Sequence, residues 1–199
     1  DRDPDGFPGN KRKEGLRIMM EDLSLHILDI AENAITAGAT KIAVFISENE
    51  KRNLLTIRVS DNGPGMPKKT LRRALDPFFT TKGKRTGLGL SLLAQTAEQC
   101  GGRLMITSAL KKGTKVTVRL CFRHIDRPPL TNMKETMTAL VLGHTEIDFH
   151  YCHRTNGRVF RFASHRFFKE SGASSGMNPD LIGSVKRALQ TGLKRIGRT

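Results

Sequence analysis

The stretch "DPFFTTKGKRTGLGLSLL", residues 76–93, is the part of the sequence that most restricts the fold. It contains two adjacent phenylalanines, three threonines and three basic residues, and its Gly-Leu-Gly opens a helical pattern. Glycines this close to lysine and arginine indicate a phosphate-binding segment. The stretch nevertheless lacks G-x-x-x-x-G-K-[ST], and its glycine spacing does not match G-x-G-x-x-G. It therefore predicts a phosphate site of another kind.

Composition restricts the class of protein. The chain has 199 residues and 37% hydrophobic content, which predicts one medium domain or one small domain with an appendage. No apolar run is long enough to span a bilayer, and no signal peptide is evident. Residues 1–18 are polar and rich in Gly and Pro, and are interpreted as a disordered leader or a cloning remnant. The three scattered cysteines provide no disulfide framework, which favours a cytoplasmic location.

The formal net charge of +15 indicates an anionic partner. Nucleic acid, anionic lipid and an acidic protein would each satisfy that requirement. The charge is spread along the chain, however, and there is no Trp and one Tyr. The lack of a dense basic block with interleaved aromatic residues argues against nucleic acid.

Hydrophobic periodicity predicts a helix–strand–strand order that occurs twice. The predicted helices lie at 20–37, 67–75 and 89–100, and the predicted strands at 41–47, 54–60, 102–108 and 114–122. Strands joined as hairpins favour a mixed, mostly antiparallel sheet with helices on one face, which is an α+β two-layer sandwich.

A domain boundary is predicted at Pro128 and Pro129, so that residues 19–124 form the main domain. Residues 130–199 are predicted to form a small C-terminal α/β extension. It would contain a helix at 130–142, a hairpin at Asn156-Gly157 and a basic helix at 179–195.

The first predicted helix carries the first candidate site. Asp29 and Asn33 are four residues apart, so they share a face and could hold a hydrated Mg²⁺ and a water. Glu32 lies about 100° from Asn33 around the helix and is either a supporting residue or a solvated charge. The alternative interpretation is an ordinary amphipathic helix with a polar surface.

Two turns carry the next candidates. In "SDNGPGM", Asp61 directly follows a strand and could accept a hydrogen bond from an exocyclic amine, while Gly63 and Gly65 let the backbone approach a flat ring. In "KKGTKV", the Thr114 hydroxyl could assist recognition of the base. Each segment also fits an ordinary turn.

The opening stretch supplies the candidate phosphate site. Gly87 and Gly89 lead into a helix N-terminus, whose free N–H groups and dipole favour an anion. Lys82, Lys84 and Arg85 could approach the same anion from the preceding loop. A solvated basic loop before a capped helix is the alternative.

Together and in this order, the segments resemble the GHKL superfamily of ATP-binding domains, which includes gyrase-type topoisomerases, heat-shock chaperones, histidine kinases and mismatch-repair ATPases. The resemblance covers about residues 20–122. The segments that carry it are "LDIAENAITAGA" as the N box, "DNGPGM" and "GLGLSL" as the two glycine motifs, and "DPFFTTK" as the lid motif.

The resemblance implies a Bergerat fold that binds Mg·ATP between a helical face and a lid. It implies that Asn33 is the Mg²⁺ ligand and that Asp61 accepts from the adenine amine. The remaining implied nucleotide contacts are Gly63, Gly65, Phe78, Phe79, Lys82, Gly87, Leu88, Gly89 and Thr114.

Two departures from the family pattern matter. The position of the hydrolytic Glu is occupied by Asp29, which is one methylene shorter, so that hydrolysis is not assured. The phosphoacceptor dimerisation hairpin of histidine kinases does not fit ahead of this N box, and His26 is interpreted as an N-box position typical of the family or as a packed histidine. The histidines of "HYCH" do not face the same way on a strand and predict no metal site.

Three functions remain open from the sequence. The first is a kinase-like protein that transfers the γ-phosphoryl group of ATP to His or Ser of a separate signalling partner, with Asp29 or Glu32 as the base. The second is an ATP-driven switch or slow ATPase. The third is a basic binding module regulated by ATP.

Overall fold

Pairs of consecutive strands are separated by one or two helices along the part of the chain that the structure, a computed structural model, describes. That part comprises residues 22–74, 76, 88–170 and 179–198. Its elements are α1 Leu23–Thr36, β1 Lys41–Asn49, β2 Leu54–Asp61, α2 Lys68–Arg73, α3 Leu88–Gln99, β3 Arg103–Ser108, β4 Thr114–Cys121, α4 Met133–Gly143, β5 Asp148–Thr155, β6 Arg158–Ala163, α5 Ser164–Glu170 and α6 Pro179–Arg195.

The strands form one six-stranded sheet in the order β3-β4-β2-β1-β5-β6. Every neighbouring pair is antiparallel except β1 and β5, which run parallel. The predicted mixed, mostly antiparallel sheet is therefore confirmed. The sheet continues across the predicted boundary at Pro128 and Pro129, since β5 and β6 extend the sheet that β1–β4 begin. The division into two domains stays a prediction.

The core lies between the helices and one face of the sheet. Alternate residues of β1 and β2 are buried, as period-2 strands require. On α1, the apolar residues recur every three or four positions and form one buried stripe. The buried residues of these three elements are Leu23, Ile27, Ile30, Ala31, Ala34, Ile42, Val44, Ile46, Leu55, Ile57 and Val59.

Asp22 links the start of α1 to the chain beyond Pro129. Its Oδ1 accepts a hydrogen bond from the Ser24 N–H at 2.8 Å, which caps the helix. Its Oδ2 accepts from the N–H and the hydroxyl of Thr131, at 2.9 and 2.5 Å. Burial opposes ionisation of this carboxyl group, but the hydrogen bonds from Thr131 and Ser24 outweigh it and lower the pKa.

A buried polar network joins β1, β5 and the C-terminal residues. His153 is 1% exposed; its Nε2 lies 2.6 Å from Glu48 Oε1 and its Nδ1 lies 2.8 Å from the Tyr151 hydroxyl. The Arg198 guanidinium forms an ion pair with the other carboxylate oxygen of Glu48. A neutral His153 that donates from Nε2 and accepts at Nδ1 satisfies all three side chains.

Most predicted elements match the observed ones to within a few residues, and the Asn156-Gly157 hairpin is present with both residues at positive φ. Helix α5 was not predicted. It follows β6 without a turn residue, and it begins at Ser164, which is buried. The Ser164 hydroxyl accepts from the Phe149 N–H and donates to the Ile147 carbonyl, contacts that sequence alone does not reveal. No helix among the described residues has the length and hydropathy needed to cross a membrane.

Candidate functional site

Asp61, the last residue of β2, is held by two backbone donors. Its Oδ1 accepts hydrogen bonds from the N–H of Gly63 at 2.8 Å and of Thr114 at 3.2 Å. Within the described ranges, no hydrogen bond reaches Oδ2. The carboxylate is therefore oriented by β4 and by its own loop while one oxygen is left to accept from an added donor.

The glycines around Asp61 allow close backbone contact. A Cβ atom on Gly65, whose φ is +67°, would lie 1.9 Å from the Ala109 carbonyl oxygen. A Cβ atom on Gly113, whose φ is +72°, would lie 1.9 Å from the Asp61 carbonyl oxygen. Only glycine fits at either position, because both the φ angle and the available space exclude a side chain. The two loops consequently pack directly on each other beside the Asp61 carboxylate.

Ser108 joins the same two loops through its side chain. Its Oγ accepts from the Met66 N–H at 2.8 Å, and lies 2.9 Å from the Gly113 carbonyl and 3.0 Å from the Thr114 hydroxyl. Sequence reasoning missed Ser108 and Gly113. A serine at a strand end carries no signal of its own, whereas Gly113 between two predicted strands already indicated a tight turn.

Asn62 connects this loop to the turn between α1 and β1. Its Oδ1 accepts from the N–H groups of Thr40 and Lys41 at 2.9 and 2.8 Å. The position of a Cβ on Gly63 would be 3.6 Å from the Ala39 Cβ. The Asp61 loop therefore lies next to the turn that joins α1 to β1.

Helix α1 presents Asp29 and Asn33 at its exposed surface. Gly89, in the first turn of α3, lies against Asp29, because a Cβ on Gly89 would be 3.1 Å from Asp29 Oδ2. Glu32 instead lies toward α4, where its Oε1 is 3.3 Å from His144 Nε2. The beginning of α3 thus meets Asp29 and not Glu32.

Several predicted contacts lie outside the described residues, namely Phe78, Phe79, Lys82 and Gly87, and the side chain of Leu88 is also outside them. In the ranges that are described, the structure brings together Asp61, Gly63, Gly65 and Thr114 at one position, and Asp29 and Gly89 at another. Asn33 follows Asp29 by one helical turn.

The histidines do not form a metal centre in the described part of the chain, where no cluster of three or more His, Cys, Asp or Glu side chains has metal-ligand geometry. His26 is 6% exposed and is a packed residue of α1. In β5, Tyr151 and His153 are buried whereas His150 and Cys152 face the other side.

The chain belongs to the family of histidine kinase-, DNA gyrase B- and HSP90-like ATPases, whose match covers residues 19–124. The predicted GHKL membership is thereby confirmed, together with its α/β sandwich fold. A solved N-terminal domain of a DNA repair protein has a similar fold, with a TM-score of 0.51 and 16% identity over 71% of this chain and 52% of that chain.

Within that family, the chain is similar to the ATPase domains of sensor kinases. ZraS of Escherichia coli O157:H7 is 30% identical over 114 residues, or 57% of this chain and 25% of that kinase. FleS of Pseudomonas aeruginosa is 38% identical over 109 residues, which are 55% of this chain and 27% of that kinase. Sporulation kinase D of Bacillus subtilis is 33% identical over 96 residues, which are 47% of this chain and 19% of that kinase. The chain therefore spans about a quarter or less of the length of these relatives.

Proposed function

We propose that this domain binds Mg·ATP and transfers its γ-phosphoryl group to a His or Ser residue of a separate signalling protein. The observation that carries the proposal is the Asp61 carboxylate, whose Oδ1 is held by two backbone N–H groups while Oδ2 is left as an acceptor. Family membership over residues 19–124 supports the same interpretation.

Adenine recognition follows from the chemistry of that carboxylate. An ionised Asp61 accepts hydrogen bonds but donates none, so it pairs with the exocyclic amine of adenine and repels the O6 carbonyl of guanine. The N–H groups of Gly63 and Thr114 orient this carboxylate, and Gly65 lets the neighbouring loop pack beside it. The carboxylate therefore selects a purine with an amino group at position 6 over one with a carbonyl group there.

The triphosphate is assigned to the space between α1 and the beginning of α3. The N–H groups at the start of α3 favour an anion, and Lys82 of the preceding segment adds a positive charge. Asn33 is the proposed Mg²⁺ ligand, and its amide oxygen is a ligand type that this ion accepts. Bound Mg²⁺ would neutralise charge on the phosphate oxygens.

Asp29 is the preferred base of the proposed reaction, because it lies against Gly89 at the start of α3. Glu32 is engaged with His144 at the end of α4 and is proposed to position α1. Asp29 would accept the proton of an acceptor hydroxyl or imidazole, or that of a water. The water reaction is the second candidate function, a slow ATPase or ATP-driven switch, and it rests on the same contact between Asp29 and Gly89.

The test combines calorimetry with product analysis. We expect Asp61→Asn to weaken Mg·ATP binding by about 10- to 100-fold, because Oδ1 is retained for Gly63 and Thr114 but a donor replaces the free acceptor. Asn33→Asp is expected to weaken it as well, and Asp126→Asn, at an exposed turn, is the matched control. Undiminished affinity in both site variants contradicts the assignment of the nucleotide site.

ATP labelled at the γ-phosphate then separates the two reactions. Label on a second protein, lost in Asp61→Asn, supports phosphoryl transfer. Free phosphate released by the purified protein alone, and abolished in Asp29→Asn, supports hydrolysis in its place.

A further inference from the structure

We propose that the face of the sheet opposite the helices docks an acidic region of a partner protein. Besides Lys41 of β1, which pairs with Asp148, this surface, called the open face below, carries six basic side chains from five strands. They are Arg58 of β2, Arg103 of β3, Lys115 and Arg119 of β4, Arg154 of β5 and Arg161 of β6.

Strand register places these residues on one side of the sheet. Cross-strand partners point to the same face of a sheet. Phe45 of β1 pairs with Arg58 on one side and with Cys152 on the other, and Cys152 pairs with Arg161, so all four share a face. Neighbours on either side of Arg58 along β2, Ile57 and Val59, are buried against the helices, so Arg58 projects from the opposite face. The same alternation applies to the other basic residues in the set.

Charge on the open face is unbalanced. In the described strands, one acidic side chain, that of Asp148, faces this side, and it lies 3.5 Å from Lys41 Nζ and 2.8 Å from His150 Nε2. Lys41 and His150 also lower the pKa of Asp148, against the opposing effect of burial. None of the six basic side chains forms an ion pair with another described residue. An acidic partner would supply the missing counter-charges.

The centre of the open face is an arginine pair organised by Phe45. The guanidinium carbons of Arg58 and Arg154 each lie 5.5 Å from the centroid of the Phe45 ring. The Arg58 Nε is buried and has no hydrogen-bond partner among the described residues. Cation–π contact restrains both guanidinium groups before a partner arrives, which reduces the entropy lost on binding.

The shape of the open face favours a protein over nucleic acid. Six strands at a spacing of about 4.8 Å give a surface about 24 Å across, which is the scale of one side of a protein interface. A sheet face of this width does not enter a DNA groove of about 12 Å, and stacking of unpaired bases requires several aromatic platforms. Phe45 is the one aromatic residue that the described strands place on this face, and arginines already cover it. Met105 and Val159 add apolar contact area of the kind found in protein interfaces.

The open face is separate from the candidate nucleotide site. Asp61 pairs with the buried Ile42 and so lies on the helix side of β2, whereas Arg58 lies on the other side. The proposal therefore does not depend on nucleotide binding or on phosphoryl transfer.

The experiment measures binding of a fluorescein-labelled polyglutamate peptide of about 20 residues to the full chain, by anisotropy at about 0.1 M salt. We expect the double variant Arg58→Glu, Arg154→Glu to bind at least about tenfold more weakly. The matched control, Lys186→Glu with Lys194→Glu, reverses two exposed charges of α6 and is expected to change affinity by less than about threefold. Amide NMR shifts caused by the peptide should map to β1, β2 and β5.

A second variant, Arg154→Glu with Arg161→Glu, involves only exposed side chains and repeats the test if the Arg58 substitution prevents folding. Equal weakening in the α6 control, or NMR shifts confined to the helices, would overturn the proposal. The proposal would also be overturned if oligothymidylate of the same length, or phosphatidylserine vesicles, bound through the same arginines more tightly than the peptide does. The open face would then recognise nucleic acid or lipid.

Discussion

Lowering the pH from about 7.5 to about 5 is expected to destabilise the protein through His153. Burial lowers the pKa of this histidine from its ordinary value of 6.5 to about 4. The Glu48 carboxylate does not reverse this effect, because the Arg198 guanidinium already neutralises it. A proton on His153 would leave a net positive charge in the buried network and would disturb the hydrogen bond from Tyr151.

The sign and size follow from proton binding. Between about pH 6.5 and pH 4 the unfolded chain binds a proton at this position and the folded protein does not, so stability is complete above pH 6.5 and decreases as the pH falls. Well inside this window, the free energy of unfolding falls by roughly 1.4 kcal/mol for each unit by which the pH is lowered. Integration from about pH 7.5 to about pH 5 gives a loss of about 2 kcal/mol in the free energy of unfolding.

Urea denaturation at several pH values measures this loss, and NMR of the histidine rings measures the pKa of His153 directly. His153→Gln removes the titrating ring and should flatten the pH dependence, whereas His165→Gln, at an exposed position, should retain it. A pKa of His153 at or above its ordinary value, or the same slope in His153→Gln, would refute this reasoning.

Two further substitutions test the packing described above. Asp22→Ala removes the cap of α1 and its hydrogen bonds to the chain beyond Pro129, so we expect a loss of about 3 kcal/mol by urea denaturation. The control, Asp180→Ala at an exposed position, should lower the free energy of unfolding by less than about 0.5 kcal/mol. Equal losses in the two variants would contradict the role of Asp22. In α6, a Cβ on Gly192 would lie 2.0 Å from the Phe160 ring, so Gly192→Ala should destabilise by about 1–3 kcal/mol. The new methyl group of Gly183→Ala would meet only the flexible Arg187 side chain, so this substitution should stabilise the protein by up to about 1 kcal/mol. Calorimetry should therefore show melting temperatures that shift in opposite directions for the two glycine variants, and shifts of the same sign would count against this packing.

Local features of the fold were accessible from the sequence because they depend on neighbouring residues. Alternation of apolar residues located β1 and β2, helical periodicity located α1, and Asn156-Gly157 located a hairpin. The order of the four motifs indicated the GHKL family, which the match over residues 19–124 confirms. The roles of Asp61, Gly65 and Thr114 were assigned by resemblance and remain predictions, although the structure places them together.

Other features required the tertiary structure. Helix α5 begins at Ser164, whose buried hydrogen bonds reach residues about 15 positions earlier, and no local sequence pattern predicts this helix. The need for glycine at 113 arises from the approach of a distant backbone carbonyl, and the distinction between Asp29 and Glu32 arises from the positions of α3 and α4.

What the sequence by itself determined is most of the strands and helices and the family. What only the tertiary structure decided is how those elements meet. The parallel pairing of β1 with β5 joins the two halves of the chain in one sheet and aligns the basic residues of the open face. Strand pairing across about 100 residues depends on the packing of the whole core, which local periodicity does not encode.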